Sequence, residues 1–488
     1  TVMDKVFVID GILYLKERFS GLTKQSAAWV IDIFRNALIC HATISTELQN
    51  YITEVTRSIP SDHFRQEKVV KKFEHIMSMP GDVGRIIHLM HDTSLLEALI
   101  PEFGMLRCKV EYDNYHEFTI DQHSLLALSS FDTLSRDPDY HIRKTALRIK
   151  NKKVIRLALL LHDIGKALQG KHSVSGALIA ENICNRLGIS KIDTTIITFL
   201  IYNHLLLSEI SFTREIDDVV LREVIQKIKT GENLEYLYIL TILDIKNVGS
   251  KTLTGWKSFQ LREIYMRCKE MLDSRKGHIR GKVYFEQKKL LPEDRHRYAQ
   301  WLKTFSGTQL EIHGESLLGF DRVTVLAPDR KHFLADFIGC LISEGFKILS
   351  AQVYSTIKGI VLDTFYIEHD GSVKISFDQH VKNIKQKWEK INQGNVTAAA
   401  LVEERIKRYP RKVRGAVYPK KSIKITIENK PASRFTIIQV IAPDRFDLLR
   451  TIIEQFYNNR LNIMLAKVAT HADRAIDTFY VSDLETGL

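Results

Sequence analysis

The chain has 488 residues, with 70 Lys plus Arg against 58 Asp plus Glu, a formal net charge of +12 and a pI of about 9.2. At roughly 100–200 residues per domain, this length predicts about three to four domains. An apolar content of 44% with 26% charged residues excludes wholesale disorder, and five widely spaced cysteines without a Cys-x-x-Cys pair exclude a thiolate zinc site or a disulfide framework. No run approaches the ~18 consecutive apolar residues of a membrane-spanning helix. The opening TVMDKVFVID has no cationic-then-apolar signal, so a cytoplasmic protein with reduced thiols is expected. The chain starts at Thr1 and ends at Leu488 directly after a strand-like segment, which predicts a fragment of a longer protein.

Taken in order, residues 1–315 read as almost entirely helical, with apolar residues at three- and four-residue spacing and Gly188 and Gly249 placed where helices should stop. A boundary is placed near residue 105 and another near 315. From there the pattern changes to an internal repeat. Leu326–Ile367 (LAPDRKHFLADFIG…VLDTFYI) matches Ile441–Val481 (IAPDRFDLLRTIIE…AIDTFYV). Asp329 and Asp444 are 115 positions apart, and Asp363 and Asp477 are 114 apart. Each copy predicts a strand, a Pro-Asp-Arg turn, an amphipathic helix and two β-rich segments, the β-α-β-β opening of a ferredoxin-like unit. A helix over Asp378–Gln393 and a strand over Ser422–Glu428 are expected to complete the first copy, with the second ending before either element.

The central helical segment holds His123, His162-Asp163, His172, His204 and Asp244. His204 follows Ile197, Leu200 and Ile201 at helical spacing, and Asp244 stands in the same relation to Leu237 and Leu240, so both belong to apolar faces. A carboxylate on a core-facing stripe is costly unless paired with a cation or metal. His162-Asp163 emerges from the apolar run Leu157–Leu161. Imidazoles and carboxylates converging from buried faces suit a divalent transition metal. A second pair, His91-Asp92, lacks a ligand series around it and reads as a helix-surface pair without metal.

LHDIGKALQGKHSVSGA, with IDQHSL upstream and IYNHLLLSE and LTILDIKNVG downstream, resembles the signature of HD-superfamily metal-dependent phosphohydrolases. The wording around each ligand (YHEFTIDQHS, YNHLLLSE, KTLTGWKSFQLREIY) is similar to the bacterial PII uridylyltransferase/uridylyl-removing enzyme family, and the C-terminal repeat resembles that family's two ACT domains. The resemblance implies a multidomain α and α+β chain. Residues 1–105 would be a helical linker and the tail of a nucleotidyltransferase module, and 106–315 an HD metal-dependent phosphohydrolase domain. Residues 316–430 would be a first ACT domain with a basic connector, and 431–488 a second, truncated one, both of ferredoxin-like βαββαβ type.

On the same resemblance His123, His162, Asp163 and Asp244 would be primary metal ligands, His172 and His204 would complete a second metal site or bind phosphate, and His162, Asp163 and Lys166 would carry catalysis. The metal would be divalent, manganese or magnesium, with iron or zinc as alternatives. The implied activity is removal of uridylyl groups from the PII signal-transduction protein under glutamine control, with Asp329, Arg330, Asp444 and Arg445 as effector-binding residues. A regulatory ACT/HD binding protein without turnover and an HD-type nucleotide phosphohydrolase are the alternatives.

Two departures stand beside the resemblance. Residues 1–105 contain neither the Gly-Ser turn nor the paired acidic residues that the family's transferase half needs, so no uridylyl transfer is expected of this chain. The family's turn, Asp-Arg-Pro-Gly-Leu-Leu, appears as Asp329-Arg330-Lys331-His332-Phe333-Leu334 and Asp444-Arg445-Phe446-Asp447-Leu448-Leu449, both without the glycine that admits close backbone approach. The excess charge is local, because residues 402–424 hold nine Lys/Arg and two Glu, +7 of the +12. With no aromatic series interleaved, this reads as a solvated connector and no nucleic-acid or membrane partner is expected.

Overall fold

The computed structural model describes residues 3–19, 24–110, 117–168, 170–214, 216, 218–249, 252–274, 292–307, 309–317, 319–330, 332–353, 359–371, 373, 375–409, 423–429, 436–443, 447–471 and 474–483. Most of the basic connector (410–422), and Asp444 and Arg445, therefore lie outside the described residues. The chain divides into two compact units, one of Thr1–Ser208, Leu221–Leu253 and Leu261–Lys276, the other of Glu209–Val220, Thr254–Gln260 and Gly277–Leu488.

The first unit is helical, with one departure from expectation near its start. Val6–Ile9 (β1) and Ile12–Leu15 (β2) form an antiparallel hairpin in the register Val6↔Leu15 and Ile9↔Ile12, and Thr43–Ile44 (β3) adds to β2 in parallel. The two turn residues, Asp10 (φ 48°) and Gly11 (φ 72°), both take positive φ. That is what a two-residue hairpin turn requires, and Asp-Gly between apolar runs is its sequence signal.

Five helices carry the residues singled out above: Ile120–Thr133 (α1), Lys152–Leu161 (α2), His172–Arg186 (α3), Lys191–Asn203 (α4) and Gly231–Lys246 (α5). Every residue of α2 from Val154 to Leu161 is buried, including Arg156. The Arg156 guanidinium donates to Asp132 Oδ1 on α1 and to the Met77, Met79 and Gly81 carbonyls. It thereby ties α1 and α2 to the segment that precedes them. Ser190 and Thr230 accept from the Asp193 and Asn233 amides and so cap α4 and α5. Gly188, at φ 64°, follows α3 where the sequence places a helix stop. The helical run Lys191–Thr213 has the length and apolarity to cross a membrane, but half of it is buried inside the protein and it contains the buried His204.

The second unit is built on an eight-stranded antiparallel sheet: Glu311–Leu317 (β4), Phe320–Pro328 (β5), Phe346–Gln352 (β6), Ile360–His369 (β7), Lys424–Asn429 (β8), Thr436–Pro443 (β9), Leu461–His471 (β10) and Arg474–Asp483 (β11). Their spatial order is β4-β5-β7-β6-β10-β11-β9-β8. The repeat is thus a structural one, two four-stranded halves joined where β6 pairs with β10 (Ser350↔Lys467). Asp363 faces Val325 in the first half and Asp477 faces Val440 in the second. Phe333–Ser343 (α6), Phe377–Asn392 (α7) and Ala398–Arg408 (α8) belong to the first half, and Leu448–Asn458 (α9) to the second. Phe337, Ile338, Leu341, Trp388 and Ile453 from these helices share one core with Val323, Val325, Phe365, Val440 and Phe479 from the strands.

The strand expected over Ser422–Glu428 does not complete the first copy. As β8 it pairs with β9, in the second copy (Ile425↔Val440, Ile427↔Ile438). The corresponding place in the first copy is held by β4, paired with β5 (Ile312↔Val325, Gly314↔Val323). Each copy therefore takes its edge strand from the residues just before it. A local hairpin closes a short loop, whereas a return from residue 424 to β5 would close one of nearly a hundred residues at greater entropic cost.

Candidate metal centre

Two sharp features position the site. His162 is the C-cap of α2 and His204 the C-cap of α4, so each stands where a helix releases its last carbonyls. His162 Nδ1 lies 2.9 Å from the Leu159 carbonyl oxygen and His204 Nδ1 lies 2.7 Å from that of Ile201. His123, on α1, places Nδ1 3.1 Å from the Asn247 carbonyl oxygen just beyond α5. Donation from Nδ1–H fixes the tautomer in all three rings and leaves the Nε2 lone pairs free to act as ligands.

Those lone pairs converge. His123 Nε2 is 3.1 Å from His162 Nε2 and 3.1 Å from Asp244 Oδ1, and His162 Nε2 is 3.4 Å from the same oxygen. A second group brings His172 Nε2 within 3.3 Å of His204 Nε2, with Asp163 Oδ1 at 3.9 Å from both. Within each group the ligand atoms lie within 4.8 Å of one another. Asp163 connects the two, since its other oxygen, Oδ2, is 3.3 Å from His162 and 3.9 Å from His123. The six residues predicted as ligands are brought together by five helices, α1 to α5, and the turn after α2.

Neutral imidazole lone pairs and carboxylates facing one another are all acceptors, and such a donor set is stable only around positive charge. Proton affinities carry the same message. Burial opposes charge on His162, but Asp163 and Asp244 outweigh it and push its pKa up to about 10. Burial would raise Asp163 and Asp244, yet His162 and the other neighbouring cations and hydrogen bonds hold both well below the usual carboxylate range. His204 is lowered by burial and by the charge on His162. The residues present fit a divalent metal, and His123, His162 and Asp244 on one side and Asp163, His172 and His204 on the other would hold it.

Lys166 sits in the short helical turn Ile164–Ala167, with Nζ 3.0 Å from Asp163 Oδ2. That turn rests against the start of α3 through Gly165, where a side chain would overlap the His172 carbonyl oxygen and the Gly176 amide. Lys109 reaches the same turn, donating to the Lys166 carbonyl at 2.6 Å. Neither Lys109 nor Asn247 was anticipated; His162 and His204 could have been assigned their carbonyl partners from their helix-end positions alone.

His91 corrects the reading of His91-Asp92 as a surface pair. Only Asp92 is exposed, and His91 is 2% exposed. Its Nδ1 lies 2.7 Å from Glu97 Oε1 and its Nε2 3.2 Å from Asp121 Oδ2, so carboxylates on opposite sides of the ring hold it. Among the described residues it joins neither ligand group. The effector positions are less gathered. The Asp329 amide donates to the Gly359 carbonyl, and Arg330 pairs with Asp336 at 2.9 Å and lies over the Trp388 ring. The backbone at His332, where the family's turn carries glycine, keeps a left-handed φ of 62°, and its ring lies 4.1 Å from that of Tyr457.

With this geometry in hand, comparison with known proteins is decisive for the central region. Residues 120–245 match the HD domain family. All six converging ligands fall within that HD domain. The chain is 28% identical over 451 residues to the bifunctional uridylyltransferase/uridylyl-removing enzyme of Zymomonas mobilis, covering 84% of this chain and 48% of that protein. It is 27% identical over 496 residues to the enzyme of the same name from Novosphingobium aromaticivorans (94% and 54%), and 28% identical over 521 residues to that of Azospirillum brasilense (98% and 55%). The chain is thus homologous to these enzymes over most of its length, and it spans about half the length of the curated relatives it matches. An HD domain with this ligand set supports a metal-dependent hydrolase.

Proposed function

We propose that the chain is a uridylyl-removing phosphodiesterase that hydrolyses uridylyl-tyrosine on the PII protein to UMP in the cytoplasm, under glutamine control. The observation that carries this reading is the pair of ligand groups joined by Asp163 inside the HD match. The names of the homologous enzymes support the choice of a uridylyl group as the one removed. On this reading residues 106–315 are the phosphohydrolase domain. The repeats at 316–430 and 431–488 are ACT domains, with β4 and β8 each added to the repeat it precedes.

A bound divalent metal, manganese or magnesium on this proposal, supplies a water of pKa near 7 and charge neutralisation at phosphate. The residues of the chain do the rest. The three Nδ1–H donors to backbone carbonyls keep His123, His162 and His204 oriented. Asp163 spans both groups and anchors the Lys166 ammonium, which offsets charge developing on the phosphoryl oxygens. His172, with a side chain 28% exposed, is the most accessible of the ligands beside it and faces the incoming phosphodiester. A tyrosine phenolate has a pKa of about 10 and leaves without a strong general acid.

Incubation with Mn²⁺ and uridylylated PII should release UMP, at a rate that responds to glutamine. His162→Ala or Asp163→Ala should lower that rate at least about a hundredfold. Metal binding without turnover would instead make this a regulatory binding protein, and a preference for free nucleotides would make it a nucleotide phosphohydrolase.

A further inference from the structure

The turn that carries Asp163 and Lys166 is held from outside the HD match, by Lys109. Ile164–Ala167 is only four residues long, and the Lys166 amide donates back to the Asp163 carbonyl at 2.9 Å. So short a helix leaves its last carbonyls without partners of its own. Lys109 Nζ supplies one, donating to the Lys166 carbonyl oxygen at 2.6 Å from an exposed position. A cation at a C-terminal carbonyl is favourable in charge as well as in hydrogen bonding.

With its backbone the same residue holds the other side of the site. The Lys109 carbonyl accepts from the amide of Ile120, the first residue of α1, at 2.9 Å. His123 stands one turn further along that helix. One residue thus joins the helix of His123 to the turn of Asp163 and Lys166. Their separation matters, because Asp163 Oδ2 is 3.9 Å from His123 Nε2 and 3.0 Å from Lys166 Nζ.

The backbone around Lys109 is itself pinned. Arg107 Nη2 donates to the His91 carbonyl at 2.6 Å and to Glu97 Oε1 at 2.5 Å. The Cys108 amide donates to Asp121 Oδ2, in the first turn of α1, at 3.3 Å. The Lys109 amide donates to the Leu106 carbonyl at 3.0 Å. Between these anchors Cys108 takes a φ of 57°, a conformation that a residue other than glycine keeps only where its surroundings impose it. We propose that Lys109 is a positioning residue of the metal centre, locking the turn of Asp163 and Lys166 against the helix of His123. It acts through the Lys166 carbonyl. Its effect on metal rests on the ligand convergence alone, and its effect on rate rests on the uridylyl-removing reading.

The test combines Mn²⁺ titration calorimetry with UMP release from uridylylated PII, on the 488-residue chain and its variants. Lys109→Met keeps the stem and removes the donors, and should lower Mn²⁺ affinity about tenfold. Lys109→Arg still donates to a single carbonyl acceptor and should keep the affinity of the unaltered chain. The metal-free thermal transition of the helical unit should not move, because the side chain is exposed. At saturating Mn²⁺, Lys109→Met should lower kcat and leave KM in place, since Lys166 offsets charge that develops only in the transition state. Added to Lys166→Met, it should cost kcat little more, because one residue acts through the other. Unchanged Mn²⁺ affinity in Lys109→Met overturns the proposal, as does a loss that Lys109→Arg shares. A loss that tracks a lowered metal-free transition, or losses in kcat that simply multiply in the double variant, overturns it equally. If the unaltered chain releases no UMP, the uridylyl-removing reading fails, and the affinities alone decide the role of Lys109.

Discussion

Gly165 shows how much the metal centre depends on one missing side chain. The turn that carries Asp163 and Lys166 meets the first residue of α3, His172, backbone to backbone, and a methyl group at Gly165 would overlap the His172 carbonyl oxygen. Backbone cannot swing aside as a flexible side chain can, so Gly165→Ala should separate Asp163 from His172. We expect a loss of Mn²⁺ affinity of at least about tenfold by calorimetric titration, with about 1–3 kcal/mol lost in stability. Ser175→Ala, on the same turn of α3 but without such an overlap, should leave affinity unchanged; equal effects of both substitutions would refute this account. At this scale the convergence of these side chains was legible only in part: His204 and Asp244 lie at helical spacing from apolar residues and His162-Asp163 follows an apolar run, whereas the places of His123 and His172 came from the resemblance alone. His91 was not legible, because its partners, Glu97 and Asp121, come from elements whose approach the local pattern does not encode. The carbonyl of Asn247 was equally silent, since a backbone acceptor far along the chain has no letter of its own.

Among the elements, the repeat was legible and its edges were not. The strand–helix–strand–strand core of each copy has a period of its own, and the two Asp-Thr-Phe-Tyr strands occupy equivalent places in the sheet. The edge strands β4 and β8 are short and lie outside the matched stretch, so their assignment rests on hairpin closure, which sequence similarity does not report. The Asp10-Gly11 hairpin is a different case, with a turn signal present in plain sight inside a segment read as helical. A polar junction then joins α6 to α7. Glu344, at the end of α6, accepts from Asn383 and Lys387 of α7 at 2.7 and 2.6 Å and lies 3.1 Å from His380 Nδ1. Burial raises the Glu344 pKa, but Lys387, Asn383 and His380 together hold it below the ordinary glutamate value. A carboxyl depressed in the folded state stabilises that state fully above the unfolded pKa, about 4.3, and the contribution fades as pH falls below it. Glu344→Gln should therefore cost about 1–3 kcal/mol at pH 7 in denaturant titrations. The gap from the unaltered chain should shrink as pH falls below about 4.3 and close once pH has passed through the depressed folded-state pKa; a gap that acid does not narrow would remove the ionised carboxylate as its cause.

For the molecule as a whole, the division into a helical unit bearing the ligands and a β-rich unit bearing the repeat sets a thermodynamic expectation. Each unit has its own core, so heating should produce separable transitions. The two ligand groups draw on α1, on α2 and its following turn, and on α3, α4 and α5, and all of these collapse together if the helical unit unfolds. A metal that binds only the folded arrangement stabilises it by RT ln(1 + [L]/Kd), about 2.7 kcal/mol at a hundred times Kd. Mn²⁺ should accordingly raise the transition of the helical unit in scanning calorimetry, and EDTA should return it to the metal-free position. His162→Ala should remove the shift while leaving the other transition in place. If Mn²⁺ moved only the transition of the β-rich unit, the cation would be bound elsewhere, and the convergence of six ligands in the HD domain would need another explanation than metal binding.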